Sequence, residues 1–213
     1  GMPIEAALDK HKHWGSLVDV YDPVMKASEW CRDQVKTVNT NPEDVKNVIQ
    51  THLHLDHSGA IGHFPNATHI TQRIEYDYAY NPDWFSQPAY IKEDFDKPNI
   101  RWKFLQGKKT DYFDLYGDGV IKIIFTPGHT PGHQSVLVNL PKTGHMLLTG
   151  DACYTGDHWC DKCLPGLVAS ASDAADSVAK LRKIAKETNA KVVWGHDPVT
   201  WLQWNKAPMF YYD

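Results

Sequence analysis

Seven residues stand out, by type and spacing, as able to hold metal ions or move protons. His52, His54, Asp56 and His57 stand together as His-x-His-x-Asp-His, and His133, Asp151 and His196 follow at wider intervals. Imidazole and carboxylate are donors that bind zinc, and iron, cobalt or manganese accept the same geometry. Neighbours along a helix point apart, so four donors this close suit a tight loop folded around metal. The plain alternative is a surface loop that happens to be rich in histidine. It is disfavoured because a domain gathers imidazoles and carboxylates only where they are paired or metal-bound, an uncompensated buried charge costing several kcal/mol.

The elements expected to position these residues share one feature. Lys46 to Thr51 reads as a strand ending at His52, and Val120 to Phe125 as a strand stopped by the turn-rich run Thr126 to His133. Gln134 to Leu140 and His145 to Thr149 read as two strands joined by Pro141-Lys142-Thr143-Gly144, the second ending at Gly150-Asp151. Lys191 to Trp194 reads as a strand ending at Gly195-His196. Every candidate donor therefore sits just past a strand end, where loops on a rigid scaffold can bring side chains together.

Asp173 to Thr188 is the strongest helical segment, with Val178, Leu181, Ile184 and Ala185 on one stripe, Ser172 or Asp173 as cap and Asn189 as stop. A further helix is expected around Val24 to Lys36, and Asn41-Pro42-Glu43-Asp44 signals a short helix start. Residues 74–113 are polar and aromatic, broken by Pro82, Pro88 and Pro98, and read as short helices and loops. No internal repeat or linker interrupts the 213 residues, which suit a single domain over 1–213.

Composition excludes several classes. A formal charge of −4 offers no broad basic surface, so nucleic acid is not an expected partner. No run approaches the ~20 apolar residues of a membrane span. Four cysteines, Cys31, Cys153, Cys160 and Cys163, are too few and too uneven for a disulfide framework, which points to reduced thiols and a cytoplasmic location. Nothing after Gly1-Met2 has the plan of a signal peptide. Cys160-x-x-Cys163 is a lone pair without a second pair or a thioredoxin-like context.

The run Thr51-His52-Leu53-His54-Leu55-Asp56-His57-Ser58-Gly59, followed in order by Pro127-Gly128-His129-Thr130-Pro131-Gly132-His133, Gly150-Asp151 and Gly195-His196, resembles the signature of the metallo-β-lactamase superfamily over about residues 10 to 213. The resemblance implies an α/β fold, the αββα four-layer sandwich, with two divalent metal ions, zinc by default. His52, His54 and His133 would hold one ion, Asp56, His57 and His196 the other, and Asp151 would bridge them. His129 competes with His133 for the third position. The resemblance assigns it to the second histidine of the repeat and leaves His129 to support the turn.

Within the superfamily, Asp151-Ala152-Cys153-Tyr154-Thr155 is similar to the N-acyl homoserine lactonases, in which a tyrosine three residues after the bridging aspartate reaches the substrate. The segments Leu164-Pro165-Gly166-Leu167-Val168 and His196-Asp197-Pro198, with Trp201 and Ala207 to Tyr211, are similar to that group as well. The competing reading of Tyr154 is an ordinary packing residue. Family members usually begin with a strand pair ending in Asp-Thr-Gly before the region matching His13-Trp14-Gly15, and no such segment stands here. Either the chain is a fragment or the protein has lost one edge of the fold, and in both cases an incomplete sandwich would leave apolar sheet surface for another chain or a further segment to cover, a homodimer being one way to do so.

The implied reaction is opening of a lactone ester by a water activated between the metals, with Tyr154 stabilising the developing oxyanion and Asp56 exchanging the proton. Cys153, between Asp151 and Tyr154, would face away from both. Residues 74–113, with Tyr76, Trp84, Tyr90 and Trp102 among their rings, would cover the site and take the acyl chain, or simply pack the insertion. Rival readings are a glyoxalase-II-like thioesterase, a different lactonase or aryl esterase, and a catalytically inactive metal-binding fragment. The thioesterase would want basic residues near the C-terminus, where only Lys206 lies beyond Lys191. An exported β-lactamase and a flavodiiron-type oxidoreductase fit the ligand pattern less well.

Overall fold

The computed structural model describes residues Gly1–Asp213, which form an α/β chain of two sheets and divide into two compact units. One holds residues 1–70 and 79–103, the other 71–78 and 104–213. No helix is long and apolar enough to cross a membrane.

The first unit opens with helices Ile4–Leu8 and Lys10–Trp14, the second capped by Asp9, whose carboxylate accepts from the Lys12 N–H at 3.1 Å. Ala6, Trp14 and Val18 bury their apolar faces with Leu55 in one cluster. The helix expected over Val24 to Lys36 is instead a 3₁₀ turn at Ala27–Glu29, a helix at Cys31–Gln34 and a second 3₁₀ turn at Val35–Val38. Two local forces divide it. The Glu29 carboxylate folds back onto the Lys26 N–H at 2.8 Å, closing the first turn, and Trp30 then takes an extended backbone. The short helical start at residues 41–44 is present as the 3₁₀ turn Pro42–Asp44.

Strands β1 (Asn47–Ile49), β2 (Thr68–Gln72) and β3 (Arg101–Leu105) form a sheet in that order, with β1 and β2 parallel and Ile49 opposite Ile70. β1 is the first strand of the chain. Residues 74–113 do contain short helices, including Lys92–Phe95, but β3 and β4 (Tyr112–Asp114) also lie there, correcting the expectation of helices and loops alone. The sequence of β3 alternates exposed Arg101 and Lys103 with half-buried Trp102 and Phe104, the two-residue period of a strand.

In the second unit β4, β5 (Ile121–Phe125), β6 (Gln134–Leu140), β7 (Gly144–Leu148) and β8 (Lys191–Val193) lie side by side in chain order. All neighbours are antiparallel except β7 and β8, which are parallel, as the long connection between them requires. That connection carries the helix Ala171–Thr188, whose inward stripe of Ala174, Val178, Leu181 and Ile184 is buried. Leu181 and Ile184 pack with Ile124, Leu137, Leu147 and Ala152. Each such Leu or Ile contributes about 1.5–3 kcal/mol on burial. The cap is Ser170, whose hydroxyl accepts from the Asp173 N–H at 3.2 Å, rather than Ser172 or Asp173. Asn189 ends the helix in the left-handed conformation, as expected.

On β2, His69 is almost fully buried beside Trp102, and neither ring nitrogen has a hydrogen-bond partner. Burial, and then the nearby His63 and Lys97, push its pKa from the ordinary 6.5 down to about 4. The unfolded chain accepts a proton at His69 that the folded chain refuses across that interval, so stability must fall as pH drops through it. Urea unfolding of metal-free protein from about pH 7 to about pH 4 should show a smaller loss in His69→Gln than in the wild type. Parallel pH profiles for the two proteins would refute this role for His69.

Candidate metal centre

The first set of donors is built by a turn that follows β1. The Gln50 N–H still donates to the Ile70 carbonyl at 2.9 Å, after which the chain leaves the sheet. The His54 carbonyl then accepts from the N–H groups of His57 (2.9 Å) and Ser58 (3.0 Å), closing a tight turn. The intervening residues explain the spacing. Leu53 and Leu55 are buried, and the Leu55 N–H donates to the Ala89 carbonyl at 2.8 Å, so alternate positions anchor the loop while the histidines between them stay together. His52 and His54 meet edge to face at 4.6 Å between ring centroids, and His52 and His57 lie 4.3 Å apart. The Asp56 carboxylate is 3.1 Å from His57 Nε2, and Tyr90 meets the ring of His54 edge to face with centroids 4.7 Å apart. All four residues expected from the motif are thus gathered in this unit.

The second set comes from three loops of the other unit. Beyond β7 the chain turns at Gly150, in the left-handed region at φ 54°, and presents Asp151. Beyond β8 the N–H groups of Gly195 and His196 donate to the carbonyls of Cys153 (3.1 Å) and Tyr154 (3.0 Å), which lays the two loop ends together. His196 Nε2 is 3.1 Å from Asp151 Oδ2, and His129 Nε2, from the loop between β5 and β6, is 3.4 Å from the same oxygen. The Tyr154 ring lies 5.0 Å from that of His196 and 5.6 Å from that of His129, and its hydroxyl is 3.3 Å from His129 Nδ1. Tyr154 therefore lies against two histidines of this set.

The two histidines of the Pro-Gly-His repeat play different parts. His133, the expected ligand, is buried, and its Nε2 accepts the Asp151 backbone N–H at 3.0 Å. That fixes the proton on Nδ1, 2.9 Å from the Thr126 hydroxyl, which continues to Ser135 Oγ at 2.9 Å and on to the Thr149 carbonyl at 2.8 Å. His129, expected only to support the turn, has Nδ1 2.8 Å from the Leu167 carbonyl, which makes Nδ1 the donor and directs the basic Nε2 at Asp151. Nothing in the sequence separates the two, because the choice depends on which ring meets the Asp151 N–H.

Around this set, Cys153 is buried with its thiol pushed up to about 12 by burial, so it serves packing and not nucleophilic attack. Cys160 and Cys163 are free thiols on the surface. His158, missed in the sequence, is buried and accepts the Tyr154 N–H on Nδ1 at 3.1 Å. Burial lowers its pKa, against the pull of Asp161, and keeps it a neutral acceptor behind the tyrosine. A cavity of about 360 Å³ opens beside His196, walled by Trp194, Pro198 and Trp201. Each unit thus offers imidazole and carboxylate donors, without sulfur, of the kind that holds divalent metal ions.

Comparison with known proteins fits this chemistry. The model of the metallo-beta-lactamase superfamily matches residues 16–196. The N-acyl homoserine lactonase AttM of Rhizobium radiobacter is 56% identical over 211 residues, covering 99% of this chain and 80% of that protein. An N-acyl homoserine lactonase of a Bacillus species is 34% identical over 198 residues, covering 92% and 74%. A solved N-acyl homoserine lactone hydrolase with the product N-hexanoyl-L-homoserine at its catalytic metal center superposes with a TM-score of 0.81 at 28% identity, over 98% of this chain and 78% of that one.

The loop that carries His129 admits no extra carbon. Gly128 has φ +136°, and a Cβ there would fall 2.3 Å from the Ala174 backbone nitrogen. Gly128→Ala should lower the unfolding free energy by more than about 1 kcal/mol. Gly166→Ala, at a position with open space around it, should change it by less than about 0.5 kcal/mol. Equal midpoints for the two variants in a denaturant titration would show that the loop can shift freely.

Proposed function

The chain belongs to the metallo-beta-lactamase superfamily and has its α/β fold, and we propose that it is an N-acyl homoserine lactonase with two divalent metal ions, zinc first among the candidates. The observation that carries the reading is the convergence of His129 and His196 on the Asp151 carboxylate, with Tyr154 against both rings, in a chain 56% identical to AttM. In this reading residues 1–213 act as one catalytic domain. His52, His54 and His129 would hold one ion and Asp56, His57 and His196 the other, with Asp151 as a further donor between the sets. His129 replaces His133 as the third ligand because the His133 ring is engaged by the Asp151 N–H and Thr126. His133 then serves to orient Asp151 from behind.

When bound, the ions would supply an activated water near neutral pH and polarise the ester carbonyl. The remaining work falls to side chains. Tyr154 donates from its hydroxyl to the carbonyl oxygen as negative charge develops there, its backbone held by His158. Asp56 takes the proton of the attacking water and returns it to the leaving alkoxide. No serine or cysteine attacks, and the ring opens without an acyl-enzyme. Residues 74–113 cover the substrate, and their Tyr90 lies beside His54. We further take the chain to form a homodimer and to work in the cytoplasm, on the grounds of sequence alone.

Proton release on mixing metal-loaded protein with short- and long-chain N-acyl homoserine lactones tests the activity. Asp151→Ala should lower kcat/KM at least about a hundredfold, and a glutathione thioester should remain intact. Cleavage of the thioester with the lactones untouched would replace this reading by the thioesterase. The ligand assignment is tested separately by metal analysis, in which His129→Ala should lose close to one ion per chain while His133→Ala keeps both at saturating metal. The reverse result would restore His133 as the ligand.

A further inference from the structure

Glu75 lies in the first turn of the helix Arg73–Tyr80 and is fully buried. Its Oε2 accepts from the Thr130 hydroxyl at 2.6 Å and from the Gly132 N–H at 3.2 Å. Thr130 directly follows His129, and Gly132 directly precedes His133. One carboxylate therefore grips the loop next to each of its two histidines.

The contact between loop and helix is close enough to constrain the sequence. A Cβ on Gly132 would fall 2.3 Å from the Glu75 nitrogen and 2.5 Å from its Cα. The opposite side of the loop is held just as firmly. The Gly128 carbonyl accepts from the N–H groups of Ala169 (2.8 Å) and Ser170 (3.0 Å), and His129 Nδ1 meets the Leu167 carbonyl. A buried carboxylate is a costly residue to keep unless something uses its charge. Here one carboxylate oxygen accepts from two donors of the loop, which an apolar side chain could not do.

We propose that Glu75 is a positioning residue for the metal centre, setting the loop that aims His129 Nε2 at Asp151 and His133 at the Asp151 N–H. The proposal rests on the metal-dependent lactonase reading for its catalytic consequence, but its structural content stands apart from substrate. Glu75 is placed to act through the loop and not on the substrate.

The test compares wild type with Glu75→Ala, Glu75→Gln and Thr130→Val. Three quantities are read: hydrogen exchange of the Gly132 amide in metal-free protein, zinc affinity by chelator competition, and kcat and KM for N-hexanoyl homoserine lactone. Glu75→Ala should speed exchange at Gly132 at least about tenfold and weaken zinc binding by about 10–100-fold. Its kcat should fall while KM stays within about twofold. Glu75→Gln, which keeps one acceptor, should lie between Ala and wild type. Thr130→Val removes one of the two bonds without opening a cavity, so it keeps the test decisive if the alanine variant does not fold.

Unchanged Gly132 exchange and zinc affinity in Glu75→Ala and Thr130→Val would overturn the proposal. So would a lower melting temperature with both quantities unchanged, since that marks a purely structural role. A wild type that binds zinc but leaves the lactone intact would remove the lactonase reading, while exchange and zinc affinity would still decide the role of Glu75.

Discussion

Asp151 cannot move without displacing three loops. Its carboxylate faces His129 and His196, and its backbone N–H donates to His133. The first two partners need the side chain in one rotamer, while the third needs the peptide plane in one orientation. Together they leave the residue little freedom. A carboxylate this buried between imidazoles is costly unless protonation or a cation balances the arrangement, so the surrounding structure must resist its escape to water.

That resistance comes from the apolar core directly beneath it. Ala152, the next residue, belongs to the cluster formed by Leu147, Leu181 and Ile184, so burial of this methyl group fixes the residue after Asp151. On the other side the Thr149 hydroxyl lies 3.0 Å from the Cys153 carbonyl and 3.2 Å from that of Val193, bracketing the Asp151 turn between two loop ends. The same helix that completes the core touches the histidine loop through Ala174, leaving no room for a side chain at Gly128. Packing energy in the second unit is thereby converted into placement of donors.

Legibility in the sequence followed the range of the interactions involved. The His-x-His-x-Asp-His turn is local, with apolar anchors and polar donors alternating within a few residues, and its four donors are found together. Strands β5 to β8 carry enough apolar residues between turn signals to be recognised, and all four lie within a residue or two of their expected bounds. β2 is different. Its Thr-His-Ile-Thr-Gln sequence buries four of five positions although most are polar, with Gln72 bonded to Gln134 at 2.7 Å, so its composition does not announce a strand. Glu75 looks like any acid in the first turn of an amphipathic helix, because the loop it grips lies some fifty-five positions away. His129 and His133 share the same local context, and only their distant partners tell them apart.

The parallel pairing of β7 and β8 also orders events in time. β4 to β7 join by short antiparallel links, whereas β8 must wait for the helix Ala171–Thr188 to form and cross the sheet before it can dock. Docking of β8 brings Gly195 and His196 onto the segment at Cys153 and Tyr154. His196 is therefore the last donor of its unit to arrive. A nascent chain that has emerged as far as Asp151 already carries His129 and that carboxylate, but the set closes only after the segment from there through His196 has been synthesised and packed.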